Sequence, residues 1–418
     1  MSLHPETETT PLLKQEREAH ERIHPQSKRW TLVQLICASI AVYSVVAGLL
    51  GLVSLYIHSR VGSAKDVFLV KNLPRETPEI TAALNKHYAG YIPVTKDGSL
   101  FFWYFPSKNT TSDELVIWIN GGPGCSSLIG QFTENGPFYV ADDGSLYVNP
   151  NSWHKRANVL YVDQPIGAGF SFTKPKTGPH DEYEVGEQFY TLLRQWYGIF
   201  PEAQKLKLFI TGESYAGVYV PWIGKYIIEN PVLPSGKKVN LKALGVGNPV
   251  LHWKYQFDAV SAYDYLKDVN FFGDDKAALY EASQLAEQCR YTNPRNDKNR
   301  TGLPYECNMY EFANDWKVKH SNFKCLDRLN YHKECVPDEL IGGPGLSVFL
   351  DDAEVRKAIH VDPFQTEHGG HIKWKACDNR MDNLDDSFLP EPIEIIPNII
   401  SSGVKYLVYE GDLDIQCS

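Results

Sequence analysis

None of the eight cysteines sits in a C-x-x-C pair, so the familiar zinc spacings are excluded. No basic stripe runs along the chain and the formal net charge is −10, which removes nucleic acid as a partner. Internal repeats and extended low-complexity segments are also absent, so a solenoid is excluded. What is present is 418 residues with 43% hydrophobic content and nine tryptophans, enough for a substantial core. Such a chain holds one large α/β domain with an insertion, or two domains.

A further absence marks the N-terminus. No charged residue lies between Thr31 and Ile57. A helix of that length, at about 1.5 Å per residue, exceeds the ~30 Å hydrocarbon core of a bilayer. Lys14, Arg17, Arg22, Lys28 and Arg29 precede it, whereas Arg60 and Lys65 follow it closely. This charge bias predicts a type II signal anchor over 31–57, with residues 1–30 as a polar cytosolic tail and the remainder in the lumen. A long signal peptide cut near Gly62-Ser63-Ala64 is the alternative. In the tail, Glu8-Thr9-Thr10-Pro11-Leu12-Leu13 has the form of an acidic dileucine signal, so Leu12 and Leu13 would meet a sorting adaptor.

Cysteine usage agrees with a lumenal body. Cys37 falls in the apolar run, and six of the other seven would form three disulfides in an oxidising compartment. Asn109-Thr110-Thr111 and Asn299-Arg300-Thr301 are N-glycosylation sequons. Residues 58–80 read as a stalk. Strand-like runs then recur at Leu100–Phe105, Leu115–Asn120, Val159–Val162, Leu206–Thr211, Ala243–Gly247 and Tyr406–Tyr409, with a helical pattern from Val185 to Ile199. That alternation predicts a largely parallel sheet covered on both faces. Residues 252–350 carry four cysteines and amphipathic segments, and read as a disulfide-bearing insertion above the site.

Three stretches carry chemistry. Gly212-Glu213-Ser214-Tyr215-Ala216-Gly217 lies between a strand pattern and a helix pattern, the setting of a nucleophile elbow with Ser214 at its tip. Asn120-Gly121-Gly122-Pro123-Gly124-Cys125 follows a strand, and its glycines let backbone N–H groups approach a ligand, as an oxyanion hole requires. Gly411-Asp412-Leu413-Asp414 follows a late strand and offers two candidate triad acids, Asp412 and Asp414. No metal or cofactor is implied.

Together with Asp163-Gln164-Pro165-Ile166-Gly167-Ala168-Gly169-Phe170-Ser171, these motifs resemble the serine carboxypeptidase family over residues ~85–418. The resemblance implies an α/β-hydrolase fold with a mainly helical insertion. It implies release of C-terminal residues from peptides and proteins at acidic pH through an acyl-enzyme. It implies Ser214 as nucleophile, Asp414 as triad acid, and the N–H groups of Gly122 and Tyr215 as oxyanion hole. Asn120, Gly121, Glu134 and Glu213 would hold the substrate's terminal carboxylate. Beside two Glu side chains that carboxylate requires at least one of them protonated. Cys125 and Cys377 would pair, Cys417 would be a free thiol near the site, and Cys289, Cys307, Cys325 and Cys335 would remain for the insertion in one of three connectivities.

The family's catalytic histidine follows the acid by another strand. All thirteen histidines of this chain precede Asp414. The domain, read as 81–418, is therefore expected to lack its C-terminal part, and the activity of the chain is doubtful on that ground. A serine carboxypeptidase of the vacuole, lysosome or late secretory pathway is the first reading. A catalytically inactive binding or protective partner and an acyltransferase using the same triad are the alternatives.

Overall fold

A computed structural model describes residues 39, 40, 43, 44, 63–173, 178–291, 307–336, 342–361, 373–377, 384–386 and 388–417. The tail with Leu12 and Leu13, most of the 31–57 span and Asn299 lie outside the described residues. Among the described residues no helix is long and apolar enough to cross a membrane.

The strands are β1 (Tyr88–Pro93), β2 (Gly98–Phe105), β3 (Glu114–Ile119), β4 (Phe138–Val140), β5 (Leu146–Val148), β6 (Asn158–Asp163), β7 (Phe172–Thr173), β8 (Lys207–Glu213), β9 (Leu241–Gly247) and β10 (Lys405–Tyr409). The helices are α1 (Pro78–Ala83), α2 (Leu128–Thr133), α3 (Glu182–Ile199), α4 (Ala216–Glu229), α5 (Trp253–Phe257), α6 (Ala259–Asp268), α7 (Lys276–Gln288), α8 (Met309–His320), α9 (Pro344–Leu350), α10 (Ala353–Ala358) and α11 (Pro392–Ser401).

β2 shows why the core is layered. All eight of its residues are buried. Leu100, Phe102 and Tyr104 face one apolar cluster and Phe101, Trp103 and Phe105 the other, the period-2 alternation of a strand covered on both sides. The first cluster takes in α3, α4 and α11; the second takes in α1, α2, α9 and α10. The result is a three-layer α/β/α body of the α/β-hydrolase kind.

The main sheet has eight strands in the order β1-β2-β6-β3-β8-β9-β10, with β7 on β2. From β6 to β10 the pairs are parallel, while β1, β2 and β7 are antiparallel. The sheet is thus mixed rather than largely parallel. Tyr88–Pro93 was not read as a strand because Gly90 and Pro93, both depleted in strands, interrupt a short run that shows no alternation. Beyond β10 no further strand pairs among the described residues, and Leu407, Val408 and Tyr409 are exposed there.

Two boundaries differ from the sequence reading. Val70 and Leu73, assigned to a stalk, are buried in the second cluster. The insertion has its own core of α6, α7 and α8 residues, closed by Cys289–Cys307 and Cys325–Cys335, which selects one of the three connectivities. It ends before α9, because Leu346, Phe349 and Leu350 belong to the main body.

Candidate active site

The C-terminal ends of β3, β8, β9 and β10 converge on Ser214. Its φ is +59°, in the left-handed region that a β-carbon disfavours by about 1–2 kcal/mol, so the surroundings must hold it. They do so through the backbone. Ser214 N–H donates to the Gly247 carbonyl at 3.0 Å, and the Ser214 carbonyl accepts from Gly217 and Val250 N–H at 2.9 and 3.0 Å. Ala216 in place of the usual second glycine is accommodated because the close approach falls one residue later. A β-carbon on Gly217 would lie 2.5 Å from Pro249 and 2.6 Å from the Val250 carbonyl.

The glycine-rich loop after β3 packs on this elbow. A β-carbon on Gly121 would stand 2.4 Å from Tyr215 N and 2.7 Å from the Glu213 carbonyl, both backbone atoms that cannot swing away. Among the described residues the N–H groups of Gly122 and Tyr215 carry no hydrogen bond to the protein. The loop is anchored at its far end by the Cys125–Cys377 disulfide and by Ser126 N–H donating to the Ala376 carbonyl at 2.7 Å.

Asn120 is buried, and its amide orientation is determined by partners that can only donate. The Trp118 indole N–H and the Gly130 N–H both point at Asn120 Oδ1, at 2.8 and 3.1 Å. Nδ2 therefore faces Glu213, donating to Oε1 at 2.7 Å. Glu134, the C-cap of α2, is electrostatically coupled to the same group, with Glu213 and Asn120 both acting on its carboxyl. Burial first, then the negative charge of Glu213, holds the Glu134 carboxyl well above the usual carboxylate range. Glu213 is raised too, by burial and by Asp414, but hydrogen bonds from Glu134 and Asn120 oppose that rise. Both carboxyls are thus held above the ordinary range, so the pair favours retaining a proton.

The two candidate acids separate cleanly. Asp412 is exposed, with its carbonyl accepting from the Tyr265 hydroxyl, whereas Asp414 is 6% exposed. Asp414 Oδ1 accepts from Gln416 and Cys417 N–H at 2.7 and 3.0 Å, and burial raises its carboxyl. The Cys417 thiol is buried and in no disulfide; burial and then Asp414 push it up, so it is a protonated thiol.

Three positioning side chains escaped the sequence reading. Trp118 is one. Asn248 is another: its Oδ1 accepts Gly411 N–H at 2.9 Å and its Nδ2 donates to the Gly411 carbonyl at 3.3 Å, which fixes the loop carrying Asp414. Its signal was an Asn directly after a strand-ending Gly, at φ +39°. Asp163 is the third; it was quoted in a motif without a role.

The described histidines are engaged elsewhere: His87 with Trp103, His154 with Ser152, His180 with Glu184, His252 with Glu391, His320 with Trp316, His332 with the Tyr331 ring and His360 with the Ala89 carbonyl. His368 and His371 lie outside the described residues. Among the described residues no group of three His, Cys, Asp or Glu is placed to hold a metal ion.

Comparison with known proteins agrees with this geometry. The serine carboxypeptidase family model matches residues 78–418. Serine carboxypeptidase-like 47 of Arabidopsis thaliana is 31% identical over 341 residues, covering 79% of this chain and 64% of that protein. A pheromone-processing carboxypeptidase of Neurospora crassa is 33% identical over 352 residues, covering 80% and 52% respectively. The chain therefore spans between about half and two thirds of the length of these two relatives. Among solved structures, the prohormone-processing carboxypeptidase of Saccharomyces cerevisiae superposes with a TM-score of 0.71 at 26% identity, covering 85% of this chain and 80% of that one. The chain belongs to the serine carboxypeptidase family.

Proposed function

We propose that this chain recognises the C-terminal carboxylate of a peptide and presents the last peptide bond to Ser214, the family reaction being release of the terminal residue at acidic pH. The observation that carries the reading is the Asn120 Nδ2 group donating to Glu213 Oε1 at 2.7 Å, one residue before Ser214, with Glu134 coupled to the same carboxyl and both acids raised by burial. A carboxylate entering this corner meets an amide N–H of Asn120, the Gly121 N–H and a carboxylic O–H. An internal peptide bond satisfies none of these donors, and leaving them unpaired costs affinity. In this reading the Gly122 and Tyr215 N–H groups stabilise the oxyanion and Asp414 orients the base.

A catalytically inactive binding or protective role is the second reading: among the described residues no histidine is hydrogen-bonded to Ser214 or Asp414, and a serine without a base retains little acyl-transfer activity. The test is calorimetry at pH 5 with N-blocked phenylalanyl-leucine as the free acid and as its C-terminal amide. The free acid should bind about a hundredfold tighter, the worth of two hydrogen bonds to a charged group. Equal affinities would refute carboxylate recognition, and Ser214-dependent release of leucine would refute the inactive reading.

Three disulfides support a secretory or vacuolar placement, since thiols stay reduced in the cytosol. The 31–57 anchor, an adaptor at Leu12–Leu13 and glycans at Asn109 and Asn299 belong to the same proposal. Asn109 is exposed, its Oδ1 accepting from the Thr111 N–H and hydroxyl. Glycosidase treatment of the native protein should shift its mobility; an unchanged band counts against the lumenal placement.

A further inference from the structure

Glu134 has to be held where its carboxyl meets Glu213, yet it sits at the very end of a six-residue helix. From there the chain turns through Asn135-Gly136-Pro137 into the β4–β5 hairpin, which returns at Asn149 to the turn that launched it. Asn149 is fully buried. Its Nδ2 donates to the Glu134 carbonyl at 3.1 Å and to the Gly136 carbonyl at 2.8 Å, and its backbone N–H donates to the Pro137 carbonyl at 3.0 Å. Its Oδ1 accepts from Asn151 N–H at 2.8 Å. Two carbonyls on one end and an N–H on the other leave a single amide orientation. The Tyr139 hydroxyl, from β4, donates to the same Glu134 carbonyl at 3.2 Å. The next residue is pinned as well: Asn135 Oδ1 accepts from the Tyr161 hydroxyl at 2.8 Å, and its carbonyl accepts from Trp153 N–H at 3.0 Å.

We infer that Asn149, assisted by Tyr139, is a positioning residue for recognition of the substrate carboxylate: by clamping the Glu134 carbonyl it fixes where the Glu134 carboxyl stands against Glu213 and Asn120. This rests on the carboxylate reading above. Neither side chain touches the ligand. Both act through the backbone of Glu134, so their loss displaces one donor and leaves Asn120, Gly121 and the side-chain pockets in place.

The test uses the whole chain and the same two probes, the N-blocked dipeptide as free acid and as amide. Tyr139→Phe removes only a hydroxyl. It should lower the acid-to-amide affinity ratio by about fivefold, one neutral hydrogen bond's worth, with amide affinity unchanged. Asn149→Ala should lower the ratio further, and should shift the loss of free-acid binding to lower pH, because a carboxyl drawn away from Glu213 releases its proton earlier. A purely structural role would weaken both probes in proportion and leave the ratio alone. If Asn149→Ala does not fold, Tyr139→Phe decides. A wild-type preference for the free acid that no folded variant lowers overturns this inference alone. Equal wild-type affinities overturn the carboxylate reading and this inference with it.

Discussion

Glu134→Gln is expected to make free-acid binding nearly independent of pH between 5 and 8, whereas the wild type loses affinity as pH rises. The sign follows from the charges. The ligand carboxylate is ionised throughout this range, so it binds the Glu134–Glu213 pair only while that pair retains its shared proton. Burial raises both groups, and the charge of Glu213 raises Glu134 further, which extends the binding window upward from the usual carboxylate range. Above the point where the shared proton leaves, each pH unit should cost about tenfold in affinity, because one proton is taken up with the ligand. Glutamine cannot lose that proton: its amide donates at every pH, toward Glu213 or toward the ligand. The amide probe, which carries no charge, should show no slope in either protein. A wild-type free-acid affinity that is flat to pH 8, or a slope that survives in Glu134→Gln, would refute the shared proton.

How much of this was legible in the sequence depends on distance along the chain. The elbow and the glycine-rich loop were readable because each is a local rule: an apolar strand, small residues at a tight turn, and a helix pattern. The strands around them were placed for the same reason. Glu134 was not readable on such grounds. It lies 79 positions before Glu213, and on its own helix it looks like an ordinary solvated charge; only the family resemblance singled it out. Asp414, too, was singled out from Asp412 only by the family resemblance; the physical difference between them is burial, which a Gly-Asp-Leu-Asp string does not encode. Asn248 and Asn149 were silent because each acts on the backbone of a remote segment, and any buried polar residue does something of the kind. The largely parallel sheet was wrong at one edge because β1 carries Gly90 and Pro93 in place of a strand pattern, and because the direction of β2 is set by its pairing with remote segments.

Asp163→Ala is expected to destabilise the body by about 3–5 kcal/mol, the cost of stranding partners of a buried charged network. Asp163 is 1% exposed at the end of β6. Its Oδ1 accepts from the Ser126 hydroxyl at 2.7 Å and Ser127 N–H at 2.8 Å, and its Oδ2 from Phe170 N–H at 2.9 Å. Ser126 in turn accepts from the Trp374 indole at 3.1 Å. One carboxylate thus joins the glycine-rich loop, the 163–171 loop and the segment carrying Cys377. Alanine would leave these donors without an acceptor in a dry interior. Asparagine keeps one oxygen but sets an NH2 group against Phe170 N–H or against Ser126 and Ser127, so it should be intermediate. The pH dependence gives an independent check. Burial, only partly offset by the hydrogen bonds, raises Asp163 to about 6, above its unfolded value of 3.8. A raised acid adds stability that is complete below the unfolded pKa and is lost as pH climbs through the folded one. Glu410, raised to about 7, has the same sign. His87, His154 and His360, all lowered by burial, have the opposite sign, so the slope of the wild type alone mixes both kinds of group. These groups are common to the wild type and Asp163→Asn, and the difference between the two isolates Asp163. The wild type should gain about 1 kcal/mol relative to Asp163→Asn between pH 8 and 5, the window in which a carboxyl raised to about 6 takes up its proton. Thermal melts at pH 8 and 5 measure both effects, and a difference that does not change with pH together with a loss below about 1 kcal/mol in Asp163→Ala would show that Asp163 does not hold these three segments together.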